Sequence, residues 1–269
     1  MFRLFSLSVM ALGWVAIGTA QAQSPSTSSS RPLGTADWSG FYIGAGAGAV
    51  LGQSNTSATT EETGTSYFTD TDFAQLGTAG HGSMRRGKPT GGLEVGYVRQ
   101  FGQFFVGLEA SANTLFLDQS RTGGDNYLTQ PAEAFTLRQR VKADWQATLR
   151  PRVGWAQDNW LAYVTAGVAV SEVTLDVDFS DTFNAGARGN SSNTEIVPGF
   201  TAGFGGEYAL NENWSLRASY LYVDFGKVET STRVTNASFP ALSDSIESSA
   251  DLRTHTFLIG VTYRFGDFW

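Results

Sequence analysis

The stretch Arg140–Ala156, RVKADWQATLRPRVGWA, decides the fold class of this chain. From Val141 to Trp155 the apolar residues fall on odd positions, whereas the charged side chains at 142, 144, 150 and 152 fall on even positions. In an α-helix these charges would be spread around the circumference, but successive side chains of a β-strand point to opposite faces. The stretch therefore predicts a strand with one apolar and one polar face.

Seven further segments show the same two-residue period, so that eight strands are predicted in all. The predicted strands are 40–52, 91–101, 104–114, 140–156, 160–178, 196–210, 214–226 and 252–265. In the seventh strand, Leu221 and Val223 interrupt the polar side, which indicates a bulge or a change of register at that point.

The gaps between these strands alternate in length. Short gaps lie at 102–103, 157–159 and 211–213, and long gaps lie at 53–90, 115–139, 179–195 and 227–251. Short turns on one side and long loops on the other are typical of outer-membrane barrels, whose short turns face the periplasm. The pattern predicts an all-β fold, an eight-stranded antiparallel up-and-down transmembrane β-barrel with long extracellular loops and both termini on the periplasmic side.

The first residues have the features of a secretory signal peptide. Arg3 precedes an apolar run from Leu4 to Ile17, and Ala20-Gln21-Ala22 provides a cleavage site with small residues. The run is shorter than the ~20 residues that a membrane-spanning helix needs. We therefore expect a signal peptide at 1–22, a flexible Ser/Thr/Pro-rich periplasmic lead-in at 23–36 and the barrel at 37–269, exported to the cell outer membrane.

The composition agrees with a membrane barrel. Charged residues make up 16% of the chain, against about 25% in an average soluble domain. Cysteine is absent, so that the fold contains no disulfide. The formal net charge of -7 argues against nucleic acid as a partner, and no cofactor is expected.

Aromatic residues lie where the strands should enter and leave the bilayer. Tryptophan and phenylalanine are typical of such interfaces, because the ring is apolar and one edge can be hydrated. The predicted aromatic girdle consists of Trp145, Trp155, Trp160, Trp214, Phe265 and Trp269. The alternative is that these rings form the core of a soluble sandwich, but a sandwich does not require every strand to turn its bulky residues to one side and Gly, Thr and charge to the other.

Four stretches resemble the alpha-proteobacterial Omp25/Omp31-type outer-membrane proteins, whose members are described as porins or surface antigens. The stretches are Trp145–Val170, Pro198–Gly226, Asp37–Gly48 and Phe257–Phe265, and they cover most of the predicted barrel outside the long loops. The resemblance implies an outer-membrane location, but the loops match no ligand-binding pattern.

The last strand carries the predicted signal for the β-barrel assembly machinery, which is an expected partner. The residues of this signal are Phe257, Ile259, Val261, Tyr263 and Phe265. The tail 266–269 departs from the resemblance, since the usual terminal residue is a phenylalanine at the position of Phe265. Trp269 has the same facing parity, and either residue can serve as the terminal aromatic.

The polar faces of the strands place charges inside the predicted barrel. The expected inward charges are Glu94, Glu109, Lys142, Asp144, Arg150, Arg152, Glu207, Arg217 and Arg264. An eight-stranded barrel is about wide enough to be filled by its own side chains, and buried charges pair because isolated ones are costly. We expect a plugged interior. The alternative is a narrow porin-like channel for small solutes, running between rings of charge.

Catalytic and metal-binding patterns are weak. His81 and His255 show no spacing that favours a catalytic triad, and without cysteine they make no zinc site, so we expect neither an enzyme nor a metal site. Solvated acidic loops are favoured over calcium ligands for the loop aspartates. These aspartates are Asp70, Asp72, Asp176, Asp178 and Asp181.

Arg85, Arg86 and Lys88 form a compact basic cluster. It is equally compatible with contacts to lipopolysaccharide phosphates and with a solvated end of a loop. Outer-membrane lipid and lipopolysaccharide are the expected partners of the barrel wall. The function that follows is a structural and surface-antigen role in the cell envelope, with loop-mediated adhesion or ligand binding as a further alternative.

Overall fold

The computed structural model describes residues 36–62 and 65–265. Eight antiparallel strands close into a barrel in sequence order, with the first strand paired to the last, which confirms the predicted fold and excludes the sandwich. The elements in the described residues are β1 (Gly40–Glu62), α1 (Asp70–Gly80), β2 (Gly82–Phe101), β3 (Phe104–Asn126), β4 (Ala134–Gln157), β5 (Trp160–Asp181), β6 (Ala187–Ala209), β7 (Trp214–Asn236) and β8 (Ser243–Arg264).

Some predictions fall on residues that the structure does not describe. The signal peptide at 1–22, the lead-in at 23–36 except for Ala36, and Trp269 all lie outside the described residues. Within the described part of the chain, no helix has the length and hydropathy needed to cross a bilayer.

The strands extend far beyond the predicted boundaries on the side of the long loops. They hold 20–24 residues, whereas about 9–11 tilted residues cross a bilayer. The predicted extent of the long loops was therefore wrong: the connections are 127–133, 182–186, 237–242 and the segment around α1. Ser, Thr and Asn dominate these strand ends, as in 53–60, QSNTSATT, and such clusters are typical of loops.

Each strand has two halves of opposite polarity. We call the part next to the short turns the turn-side half, and the remaining strand residues, α1 and the outer connections the loop-side half. The turn-side half comprises 41–51, 87–101, 104–116, 145–157, 160–170, 196–209, 214–222 and 255–264.

Strand β5 shows the change of polarity without any change of direction. Its even positions point outward throughout; they are apolar as far as Val170 and become polar from Glu172 onward. Val168 is 60% exposed on the turn-side half, whereas Leu175, which points inward on the loop-side half, is 0% exposed. The turn-side half is therefore apolar outside, and the loop-side half is built like a soluble protein.

A bulge in β4 corrects two of the predicted inward charges. The pairing of β4 with β5 shifts between Ala143 and Gln146, and Asp144 and Trp145 both lie exposed at the shift. Odd positions therefore point inward from Phe135 to Ala143, whereas even positions point inward from Gln146 to Ala156. The prediction that Lys142 and Asp144 line the interior was wrong, because the extra residue of a bulge reverses the facing of all residues beyond it.

A second bulge lies in β7, three residues beyond the predicted place. Leu221 and Val223 remain buried on the inward face, so the predicted break at that point was wrong. The pairing with β8 instead shifts between Asp224 and Lys227, around Gly226, whose φ of 64° suits glycine. The inward face of β7 itself becomes apolar at Leu221. In the sequence, this change of polarity has the same pattern as a change in the direction of the side chains.

The loop-side half has an apolar core that α1 closes at the outer end. Thr69 and Asp72 form a capping box at the start of α1, and Leu76 of the helix is fully buried in the core. Arg121 of β3 donates a hydrogen bond to the carbonyl oxygen of Ala79 at the other end of the helix. The core also contains Leu115, Leu117, Phe135, Leu137, Val173, Leu175, Val177, Phe179, Val223, Phe225, Val234 and Ile246.

Candidate functional site: the charge network inside the barrel

The turn-side half encloses a network of charged side chains. Its members come from six different strands, each of which directs one or two charged side chains inward in this half. They are Glu94, Glu109, Arg150, Arg152, Glu207, Arg217 and Arg264. Each of them except Glu94, which is partly exposed, is buried.

Glu109 is the centre of this network and is 0% exposed. One of its carboxylate oxygens, Oε2, accepts hydrogen bonds from Arg152 at 3.1 Å and from Arg217 at 2.7 Å. Oε2 also accepts a hydrogen bond from the Tyr42 hydroxyl at 2.6 Å, and Arg150 and Arg217 donate to Oε1. Three guanidinium groups therefore neutralise one buried carboxylate, the arrangement that makes burial of these charges tolerable.

Arg152 and Arg217 extend the network across the barrel. Arg152 donates to Glu207 on β6 at 2.6 Å, and Arg217 donates to Glu94 on β2 at 2.6 Å. The guanidinium of Arg152 also lies 3.8 Å from the centre of the Tyr163 ring, a cation–π contact. Strands that are not neighbours in the sheet are thereby held together through the interior.

Arg264 makes separate contacts at the end of the barrel where the short turns lie. Its guanidinium lies 4.4 Å from the centre of the Trp38 ring and donates a hydrogen bond to the carbonyl oxygen of Asp37. Trp38 is thereby fixed inside an apolar layer that closes this end of the barrel. The layer consists of Trp38, Tyr42, Val98, Phe105, Ala156, Leu161, Tyr163 and Ala209.

On the other side of the charges, hydroxyl and amide groups fill the interior. Ser111 and Thr148 share a hydrogen bond of 2.8 Å, and Thr254 donates to the Gln146 amide at 3.0 Å. A cavity of about 20 Å³ lies between this layer and the charges, which is room for about one water molecule. The apolar core of the loop-side half follows next, so the described interior is filled by four successive layers.

Sequence reasoning missed the aromatic partners of the network. Tyr42 and Tyr163 share the facing parity of the charges, and a large aromatic residue on a face of small and polar residues was the available signal. The rings find room because Gly96 and Gly205 lie directly beneath the hydroxyl ends of Tyr42 and Tyr163. Their contacts with Arg152 depend on the register of distant strands, which the period alone does not reveal.

Apart from the buried Tyr42, Phe105 and Tyr163, the aromatic side chains of the turn-side half point outward, and several pair between neighbouring strands. Ring centres of Phe104 and Trp155 are 4.6 Å apart, and those of Trp214 and Tyr263 are 5.1 Å apart. Trp160 and Phe265 are exposed at the same end, and Trp145 is exposed at the opposite end of the turn-side half. The residues predicted as the assembly signal share the outward face of β8 and its end: Phe257, Ile259, Val261, Tyr263 and Phe265.

The histidines and loop aspartates have structural partners. The Nδ1 atom of His255 lies 2.8 Å from the Tyr220 hydroxyl, and that of His81 lies 2.7 Å from the Gly77 carbonyl oxygen. Asp72 caps α1 and Asp181 accepts hydrogen bonds from two tyrosines. Among the residues that the structure describes, no three His, Cys, Asp or Glu side chains are grouped as a metal site would require.

A family model described as outer membrane protein beta-barrel domain matches residues 10–265. The chain belongs to this family. The 31 kDa outer-membrane immunogenic protein of Brucella melitensis is 30% identical over 266 residues, which cover 97% of this chain and 95% of that protein. The resemblance seen in the sequence is thereby confirmed, and this outer membrane β-barrel is a protein of the cell outer membrane.

Two further proteins are similar to this outer membrane β-barrel. The 22 kDa outer membrane protein of Rhizobium leguminosarum bv. viciae is 29% identical over 72% of this chain and 67% of that protein. The crystal structure of the outer membrane protein OprG from Pseudomonas aeruginosa covers 87% of this chain and 99% of that chain, with 14% identity and a TM-score of 0.41.

Proposed function

We propose that this barrel is a structural protein of the outer membrane that is closed to solutes and displays its loop-side half at the cell surface. One observation carries the proposal: the apolar layer around Trp38, the charge network, the hydroxyl layer and the loop-side core fill the interior in succession. A channel would need a water-filled path through these layers.

Conductance in planar bilayers tests whether the interior is closed. Preparations are first checked for folding by heat-modifiability on unboiled gels. We expect no steady unit current from the folded protein, and no swelling of liposomes in small sugars. Stable unit currents from every folded preparation would support the narrow channel instead.

Surface display of the loop-side half rests on the direction of the barrel. The relative from Brucella melitensis is named an immunogenic protein, and an exposed outer half would give this chain the same accessibility. Because the chain contains no cysteine, single substitutions report topology cleanly. We expect Ser238→Cys in the connection 237–242 to react with an impermeant maleimide on intact cells, and Glu212→Cys in the short turn 211–213 to react only after lysis. The reverse pattern contradicts the proposed orientation.

We further propose that the barrel has no catalytic activity. His255 is engaged by Tyr220 on the outer wall, and His81 lies at the end of α1. Purified barrel is expected to hydrolyse neither fluorogenic peptides nor esters above background. An activity that disappears in His255→Ala or His81→Ala would contradict this expectation.

The outward row on β8 supports recognition by the β-barrel assembly machinery during insertion. We propose that this row, ending at Phe265, carries the signal. Removal of residues 266–269 is then expected to leave the amount of folded barrel in the membrane unchanged, whereas Phe265→Ala lowers it. Loss of folded barrel after the truncation alone would assign the terminal role to Trp269.

A further inference from the structure

A groove lies on the outer wall of the barrel, where the apolar band ends. Its volume is about 470 Å³, and it runs across β8, β1 and β2. Leu51 and Phe257 form an apolar floor, and both are about half exposed toward the lipid. Gly87 contributes to the depth of the groove, because a Cβ atom at this position would approach the Leu51 side chain at 3.1 Å.

The side of the groove away from the apolar band is basic. Arg85 and Arg86 line the groove and are exposed, and neither takes part in a salt bridge among the described residues. Other arginines of the outer wall are neutralised: Arg140 pairs with Asp118, and Arg253 pairs with Asp224. Neither groove arginine therefore forms a direct ion pair with a described carboxylate, although Asp118, the partner of Arg140, lies within electrostatic reach of Arg86.

Neighbouring groups add further hydrogen-bonding capacity to the groove. The Tyr220 hydroxyl is within hydrogen-bond distance of the Nδ1 atom of His255. When Nδ1 accepts this bond, the imidazole proton is on Nε2, which can donate a hydrogen bond to a ligand. Gln53 lines the groove beside His255. On the opposite wall of the barrel, the residues just beyond the apolar band are acidic, with Asp144, Glu172 and Glu195 exposed.

The course of β2 explains why this side is open. The last pair between β2 and β3 is Gly92 with Asn113, and beyond it β2 pairs only with β1. The segment 82–91 lies beyond the last backbone pair with β3 and carries Arg85 and Arg86 past the end of the apolar band. The basic cluster predicted from the sequence is therefore divided, because Lys88 is not among the residues of the groove.

We propose that this groove binds a phosphorylated glycolipid of the outer leaflet. Guanidinium groups bind phosphate through paired hydrogen bonds, and an acyl chain would lie along Leu51 and Phe257. The combination of an apolar floor and unpaired cations fits an amphiphile with an anionic sugar headgroup better than it fits free phosphate. The inference rests on the proposed orientation, in which the loop-side half faces the cell exterior.

The test is native mass spectrometry of the folded barrel in detergent, titrated with diphosphorylated lipid A. Arg85→Gln/Arg86→Gln is expected to weaken binding at least tenfold, and Gly87→Trp, which fills the groove, is expected to weaken it comparably. Arg140→Gln combined with Asp118→Asn removes a complete ion pair of the outer wall and serves as the matched control with unchanged binding. Folding of each variant is verified by heat-modifiability.

The ligand arms separate the possible sources of the anion. Dephosphorylated lipid A and inorganic phosphate are expected to bind much more weakly than the diphosphorylated form. The proposal is overturned if the arginine double variant binds diphosphorylated lipid A as well as the unmodified barrel does, or if the control variant loses binding equally. A preference for phosphatidylglycerol over lipid A also overturns it. Maleimide labelling reports the orientation independently of this binding, so failure of the groove and failure of the proposed topology are distinguishable.

Discussion

The two halves of the barrel use the same strands and the same alternation with opposite polarity. In the turn-side half, Val168 faces outward and charges such as Glu109 are buried. In the loop-side half, Leu175 is buried and Asp176 is on the outward face of the same strand. Alternation along a strand therefore defines two faces, whereas the medium outside each half determines which of the two faces is apolar.

The two interiors are consequently held together in different ways. The loop-side core gains free energy from burial of apolar surface, about 25 cal/mol per Å². The turn-side interior gains less from this source, since most apolar residues of that half face lipid and only the layer around Trp38 is buried inside. Its cohesion depends on matched charges, which are specific in geometry and intolerant of the loss of a single partner.

The largest expected effect is the loss of the central carboxylate of the charge network. Glu109→Gln leaves Arg150, Arg152 and Arg217 without their shared counter-charge. We expect destabilisation of about 3–5 kcal/mol, measured by urea unfolding in lipid vesicles. Glu172→Gln, on the exposed outer face, is the control and should change stability by less than about 0.5 kcal/mol. Similar effects of the two substitutions would contradict the role given to the network.

A cavity in the loop-side core is expected to act on that half alone. Leu175→Ala removes a fully buried side chain and should cost about 2–5 kcal/mol. Limited proteolysis of the folded barrel should then cut within the loop-side strands while the turn-side half remains protected. If both halves became sensitive together, the barrel would unfold as one cooperative unit, and the two interiors would not be separable.

Exchange of charge on the outer face of β5 tests the boundary between the halves. Val168→Arg places a charge among lipid-facing residues, where it is expected to cost about 2–4 kcal/mol near the bilayer midplane. Asp176→Arg, at an outward position of the loop-side half, should cost only about 1 kcal/mol, because it loses the hydrogen bond from Ser192 and lies opposite Arg140 in water. Folding yield in vesicles of both variants measures the difference. Equal yields would show that the bilayer does not end between these two positions.

The smallest expected effect depends on pH. It is confined to α1 and the connections around it, which we call the cap. The hydroxyl groups of Tyr67 and Tyr127 donate to the same Asp181 oxygen. Burial is the main cause that raises the pKa of both phenols above the usual range, and the Asp181 carboxylate raises both further. Their contribution to stability is therefore present below the unfolded pKa of about 10 and is lost as the pH rises beyond it.

Ultraviolet absorbance of ionised tyrosine and proteolysis of α1 should detect this loss together. Tyr127→Phe is expected to reduce the alkaline step, because one of the two buried phenols is then absent. A cap that opened near neutral pH would require a different titrating group, and this observation would separate the cap from Tyr67 and Tyr127.

The two-residue period was sufficient to predict the number of strands, the short turns and the inward facing of Glu109, Arg152, Glu207 and Arg217. The reason is local: a period of two assigns each side chain to a face without reference to any partner. The period also placed Trp155 and Trp214 on the outer face, where both are exposed. It failed for Lys142 and Asp144, since one extra residue at a bulge reverses the assignment for all residues that follow.

The folded barrel was needed to show which inward residues meet and where the strands change their polarity. The contact of Tyr42 with Arg152 and Glu109, and the seat of Trp38 against Arg264, join residues that are far apart in the chain. Closure of the ring sets the stagger between strands, and this stagger brings such residues to one level. The loop-side strands also depend on tertiary packing. Their outer faces are rich in Ser and Thr, and these segments are stable as strands because their inward faces bury an apolar core.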